Sequence, residues 1–235
     1  MLAPDNRTVM ISGANRGIGL AIAKTLSEAG YRLSLGARKP DSIDTSQLCG
    51  QVMCHHYDAT DLQSATLWQA ATLEQFGAID AVVLNAGVIK SVGIETGTEA
   101  DLDLMWETNF KGPLRLIRAT MPSLRKCGHG RVINLASLSG KRLLSESNLG
   151  YGATKFAAVA LTHAIRRAGW EDGIRCTAIC PGLVDTDMVS NVATPAGEFK
   201  ITPETIAATA AYALSLPNDA SVAEILVNSR LEAMF

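Results

Sequence analysis

The stretch from Thr8 to Gly30 constrains this chain more than any other. Thr8-Val9-Met10-Ile11 is a short β-type run of apolar and β-branched residues. It breaks into Ser12-Gly13-Ala14-Asn15-Arg16-Gly17-Ile18-Gly19, and a helical stretch then runs to Gly30. A strand that turns through glycines into a helix suits a phosphate group. The glycines let the backbone approach a pyrophosphate, and the helix N-terminus supplies N–H donors and a positive dipole end. The spacing is G-x-x-x-G-x-G rather than the commoner G-x-G-x-x-G. Glycines alone would equally make a packing turn. Their place between strand and helix tips the reading to a dinucleotide.

The same alternation recurs down the chain. β-type runs at residues 31–35, 51–57, 79–84, 131–135, 174–179 and 224–227 alternate with helical stretches at 61–77, 99–126 and 151–170. A further helix starts at Thr202-Pro203-Glu204, a Thr cap with proline in the first turn. Residues 79–84 (IDAVVL) are apolar almost without a break, the mark of a strand buried on both faces. This pattern predicts an α/β Rossmann-type fold, a doubly wound parallel sheet of about seven strands with helices on both faces. Right-handed crossovers give the order 3-2-1-4-5-6, with the last run as a seventh strand. No linker, repeat or low-complexity segment intervenes, so residues 1–235 are expected to form one dinucleotide-binding and catalytic domain. Ligands then belong at the carboxyl ends of the strands, between the first and the fourth. Residues 183–201, irregular and just past a strand end, are the candidate substrate lid.

Composition excludes several classes. Net charge is −2 with no Lys/Arg run, so neither nucleic acid nor an anionic membrane is an expected partner. The first residues do not read as a signal peptide, and the weakly polar stretch 206–216 is too short to span a bilayer. The cysteines Cys49, Cys54, Cys127, Cys176 and Cys180 are odd in number and match no zinc spacing, and the four histidines form no ligand pattern. Reduced thiols in a cytoplasmic protein, with no metal, are expected.

The second β-type run ends Leu35-Gly36-Ala37-Arg38. A carboxylate there would bind the ribose 2′-OH of NAD; here it is missing and a cation follows. Arg38, with Arg16 projecting nearby from the glycine turn, suits the 2′-phosphate of NADP. Taken singly, either arginine reads better as an exposed helix or loop charge.

At this point the motifs converge. SGANRGIG at 12–19, Asp58 in YDAT, NAG at 85–87, Asn109 in TNFKG, Ser137 in NLASLSG, YGATK at 151–155 and PGLVDT at 181–186 occur in that order. In these the chain resembles the short-chain dehydrogenase/reductases over nearly its whole length. Ser12 stands where that family usually has Thr, Leu84 replaces the first Asn of an NNAG motif, and Ala136 replaces the first of two serines. Residues 41–50 look shorter and less helical than the family's usual segment.

The resemblance implies an NADP(H)-dependent reductase or dehydrogenase with the catalytic set Asn109, Ser137, Tyr151 and Lys155, acting on a small carbonyl or alcohol substrate. It implies cofactor contacts from Gly13, Asn15, Arg16, Gly17, Ile18, Gly19 and Arg38, and from Asp58 and Ala59 at the adenine. Asn85, Ala86 and Gly87 would form the floor. Tyr151 and Lys155, Pro181 and Gly182, and Val184 and Thr186 would lie at the nicotinamide end. It also implies a homodimer or homotetramer. Residues 88–93, Leu138, Ser139, Leu143, Leu144 and the lid are the expected substrate walls.

Elementary chemistry agrees. Tyr151 and Lys155 are four apart on a helix and share a face. An ammonium beside a phenol favours the phenolate, so Tyr151 is expected to titrate below its usual value and to exchange protons near neutral pH. Ser137 would hydrogen-bond the same substrate oxygen as charge develops. The alternative is a catalytically silent NADP-binding sensor; such relatives usually lose Tyr or Lys, and here both are present. A last expectation comes from Pro113, four residues past Asn109. Proline has no N–H for the Asn109 carbonyl, so the helix should kink there. The resemblance implies that this carbonyl holds a water leading from Lys155.

Overall fold

The computed structural model describes residues 1–143, 145–190 and 199–231. Seven strands form one parallel sheet: β1 (Thr8–Ser12), β2 (Arg32–Ala37), β3 (Val52–His56), β4 (Ala81–Leu84), β5 (Arg131–Leu135), β6 (Arg175–Pro181) and β7 (Glu224–Val227). Their order is β3-β2-β1-β4-β5-β6-β7, as the alternation predicts.

Helices cover both faces because the strand residues are apolar on both. In β1, Val9 and Ile11 join the layer of α1 (Gly17–Glu28) and α6 (Pro203–Ser215), with Ile22, Leu26, Ile206 and Leu214. Met10 points the other way, with Trp68 of α2 (Ser64–Phe76), Leu116 of α4 (Gly112–Lys126) and Leu161 of α5 (Leu149–Gly169). β4 divides likewise, Val83 to the first layer and Val82 and Leu84 to the second. Each fully buried aliphatic side chain contributes about 1.5–3 kcal/mol, so this two-sided burial is the main reason the sheet forms. Beneath α2 the packing is tight. A Cβ on Gly36 would lie 2.7 Å from the Trp68 ring, whose Nε1 donates to Ser34 Oγ at 2.8 Å.

The expected single helix 99–126 is corrected. It is α3 (Glu99–Trp106), a π-helical turn (Glu107–Lys111) and then α4. The Gly112 N–H bonds the Glu107 carbonyl, five residues back. Pro113 explains the interruption: with no N–H it cannot close an α turn on Asn109, and a one-turn π insertion keeps the helix continuous around that defect. Thr98 caps α3 by accepting the Asp101 N–H at 3.1 Å, and Thr202 caps α6 by accepting the Thr205 N–H at 3.3 Å. Between β2 and β3 there is only a 3-10 turn, Pro40–Ser42. Among the described residues no helix is long and apolar enough to cross a membrane.

Candidate active site

A cleft of about 340 Å³ opens along the carboxyl ends of the strands, where the topology reverses between β1 and β4. At one end the glycine turn leaves β1. Gly13 has φ +67°, and a Cβ there would meet the Ala86 backbone at 3.0 Å. A Cβ on Gly19 would lie 2.3 Å from the Gly13 carbonyl, so that glycine serves the packing of turn on helix. The first turn of α1 carries neither a capping side chain nor an acid. Its N–H groups and dipole therefore face the cleft free for an anion. Asn85 locks the floor by donating from Nδ2 to the Ser12 and Gly13 carbonyls at 2.9 and 3.0 Å.

At the adenosine end stand Arg38 and Asp58. Asp58 Oδ1 accepts from the backbone and hydroxyl of Thr60, at 2.9 and 2.8 Å. Partial burial pushes this carboxyl up, but those bonds, with Arg38 and His56 nearby, outweigh it and hold it below the ordinary range. The Arg38 carbonyl accepts from His56 Nδ1 at 3.0 Å. Arg16 reaches the other way and pairs with Asp187 at 3.2 Å, joining the glycine turn to the segment after β6.

At the reacting end α5 presents Tyr151 and Lys155. Lys155 is buried, its Nζ 5.6 Å from the centre of the Tyr151 ring and donating to the Leu135 carbonyl at 2.7 Å. Ser137, at the end of β5, accepts the Ser139 N–H at 3.1 Å and lies 3.5 Å from the Pro181 carbonyl. Burial pushes the Lys155 amine down to about 8. It pushes Tyr151 up to about 12, against a hydrogen bond with Ser137. The expected depression of the Tyr151 pKa is thus corrected for the protein without cofactor, because desolvation of the phenolate exceeds the pull of its neighbours.

Asn109, in the π turn, has its side chain fully engaged. Oδ1 accepts the Val88 N–H at 2.8 Å, and Nδ2 donates to the Val88 carbonyl and to Thr154 Oγ1, at 2.9 and 3.0 Å. It clamps the loop after β4 to α5.

Comparison with known proteins agrees with this layout. Residues 7–196 match the family model described as short chain dehydrogenase. The chain belongs to the short-chain dehydrogenase/reductase family. It is 36% identical over 217 residues to an agropine synthesis reductase of Rhizobium rhizogenes, covering 91% of this chain and 50% of that protein. The chain thus spans about half the length of that relative. An uncharacterized oxidoreductase of Staphylococcus haemolyticus is 34% identical over 226 residues, covering 95% of this chain and 97% of its own. Among solved structures, an alcohol dehydrogenase from the archaeon Thermococcus sibiricus, complexed with 5-hydroxy-NADP, superposes with a TM-score of 0.87. It is 32% identical, over 97% of this chain and 99% of the other.

The fold brings to one cleft every residue expected at the cofactor except Gly19, which lies beneath the turn. Ser137, Tyr151 and Lys155 line it as well, whereas Asn109 does not. Of the expected substrate walls Val88 lines the cleft; Leu138, Ser139 and Leu143 do not, and Leu144 lies outside the described residues. The lid contributes Val184, Thr186, Asp187, Met188 and Val189, and its residues 191–198 also lie outside them. Sequence reasoning missed Leu104 and Thr108, and also Tyr57, Thr60, Leu135 and Ala136. The first two sit on the helical stretch now divided by the π turn, where periodicity alone could not show which face borders the cleft.

Proposed function

We propose that this short-chain dehydrogenase/reductase is an NADP(H)-dependent carbonyl reductase or alcohol dehydrogenase in which Tyr151 is the general acid and base. The observation that carries this is the single cleft joining the glycine turn and Arg38 to Ser137, Tyr151 and Lys155. The first turn of α1, Gly13 to Ile18, would hold the pyrophosphate. Arg38, next to the uncharged Ala37, would hold a 2′-phosphate, and Asp58 and Ala59 would flank the adenine. Asn85, Ala86, Gly87, Pro181, Gly182, Val184 and Thr186 would border the nicotinamide end. When bound, the cofactor supplies or takes up the hydride.

The chain's own residues handle the proton. Tyr151 donates it from its hydroxyl to a carbonyl oxygen during reduction, and takes it from an alcohol during oxidation. Ser137 donates a hydrogen bond to the same oxygen as negative charge gathers there. Lys155, anchored on the Leu135 carbonyl, holds its charge 5.6 Å from the Tyr151 ring and stabilises the phenolate left behind. The Asn109 carbonyl, which Pro113 cannot cap, holds a water leading the proton out from Lys155. Residues 183–201 act as the lid over the substrate. The five free cysteines suit a reducing, cytoplasmic compartment. The solved relative complexed with an NADP derivative supports the choice of cofactor.

The test is NADPH oxidation against a panel of ketones, aldehydes and keto acids, with NADH beside it. Turnover is expected with NADPH in preference. Tyr151→Phe should lose about 10²–10⁴-fold in kcat, the usual contribution of general acid catalysis. The pair Ala37→Asp with Arg38→Ser should reverse the cofactor preference. Equal efficiency with NADH in the unaltered protein would overturn the assignment of Arg38. Cofactor binding with no turnover on any substrate would favour a sensor.

A further inference from the structure

A second cluster of chemically capable side chains lies at the opposite end of the sheet. Asp80 directly precedes β4. Cys127 ends α4, and His129 stands two residues later in the turn into β5. A carboxylate oxygen of Asp80, the Cys127 sulfur and a ring nitrogen of His129 all lie within 4.8 Å of one another. They gather at the amino ends of β4 and β5, whereas the cleft opens at the carboxyl ends. Tetrahedral zinc with these donors sets its ligand atoms about 3.3–3.6 Å apart, so small side-chain rotations close the set.

The surroundings already orient the three groups. Asp80 Oδ2 accepts the Thr8 N–H at 2.8 Å, which fixes the plane of the carboxyl. The His129 backbone N–H donates to the Cys127 sulfur, and the His129 carbonyl accepts from Arg7 Nη2 at 3.4 Å. Gly128 between them has φ +70°, the left-handed conformation that turns the chain so that Cys127 and His129 meet. Outer contacts of this kind hold metal ligands in place. Asp80 is buried while Cys127 and His129 are half-buried, so an ion has a route in from solvent.

We propose that Asp80, Cys127 and His129 form a site for a borderline-soft divalent cation, zinc above all, with solvent in the fourth position, tying the start of β4 to the turn between α4 and β5. One carboxylate, one thiolate and one imidazole match the ligand preferences of zinc, and the two anionic donors balance its charge. As the sulfur–metal bond forms, the thiol proton leaves to solvent. The site stands apart from hydride transfer. Cys127-x-His129 offered only half of any recognised spacing; the third ligand comes from another strand, which only the fold supplies.

Cobalt(II) is the probe. Chelator-treated protein titrated with Co²⁺ should bind one ion per chain, with visible ligand-field bands and a near-ultraviolet thiolate charge-transfer band, and Zn²⁺ should bleach both. Cys127→Ser should abolish the charge-transfer band, and His129→Ala should weaken binding by more than about tenfold. The double variant Cys127→Ser/His129→Ala is the blank for capture by Cys49 and Cys54. Asp80→Asn keeps an acceptor for Thr8 and should weaken binding without unfolding the chain. Zn²⁺ should raise the melting temperature of the unaltered protein and not that of the blank. Cobalt uptake equal to the blank, or a bound-cobalt spectrum lacking thiolate charge transfer, would overturn the proposal. The stoichiometry and the thiolate band are read on the unaltered chain itself, so the proposal stays open to refutation even if the blank fails to fold.

Discussion

Lys155 and Tyr151 show what a sequence does and does not carry at the scale of single residues. The YGATK spacing places a phenol and an amine on one helical face, and both line the cleft. Their proton affinities were not legible, because burial is a property of the whole fold. Its consequence can be measured. The Lys155 amine, near 8 when folded against an ordinary 10.5, binds less proton in the native state than in the unfolded one between those values. The contribution of Lys155 to stability should therefore rise with pH from about 8 toward 10, by up to about 1.4 kcal/mol per pH unit, while the buried thiols Cys176 and Cys180, raised above their ordinary 9.0, act in the opposite sense over the same range. Tyr151, raised from 10.0 to about 12, acts in the opposite sense only above pH 10, where the unfolded chain loses its proton first. Between pH 8 and 9.5 the unaltered protein should gain stability relative to Lys155→Met in urea unfolding. A slope common to both proteins would assign the pH dependence to other groups.

Elements were legible where burial on two faces leaves an unbroken apolar run, as in IDAVVL, and where a cap announces itself, as at Thr202. The long helix 99–126 was read as one piece because no loop separates α3 from α4, only a π turn over residues 107–111. Pro113 marked the right place for a break, but proline states only what bond is missing and not how the chain absorbs the loss. The structure also gives the Asn109 side chain a role that spacing alone did not show. It bonds both backbone groups of Val88 and the hydroxyl of Thr154, so it joins the loop after β4 to the catalytic helix. Asn109→Ala leaves these groups to find other partners. At about 1–3 kcal/mol for a buried polar group left unpaired, the variant should lose about 3 kcal/mol in urea unfolding. It should also lower kcat more than it raises KM, since it loosens the helix that carries Tyr151. A stability change below about 1 kcal/mol would mean that the clamp is dispensable.

At the scale of the whole molecule, the outward face of α5 is the feature left unexplained by one chain. Phe156, Ala160, Ala164 and Ala168 are exposed at four-residue spacing, a stripe of one aromatic and three small residues along the helix. Phe156 is 47% exposed. Charged residues would be expected on a helix that faces only water. Small residues let a second helix approach closely, and a two-fold axis through the stripe would set α5 against its own copy in a self-complementary contact. The prediction is a homodimer, or a tetramer built from such dimers, at micromolar concentration by light scattering. Phe156→Glu puts a charge and its own image at the middle of that contact. It should give monomers whose circular dichroism is unchanged, because Phe156 lies outside the core. A monomeric unaltered protein, or an assembly indifferent to Phe156→Glu, would place the contact elsewhere.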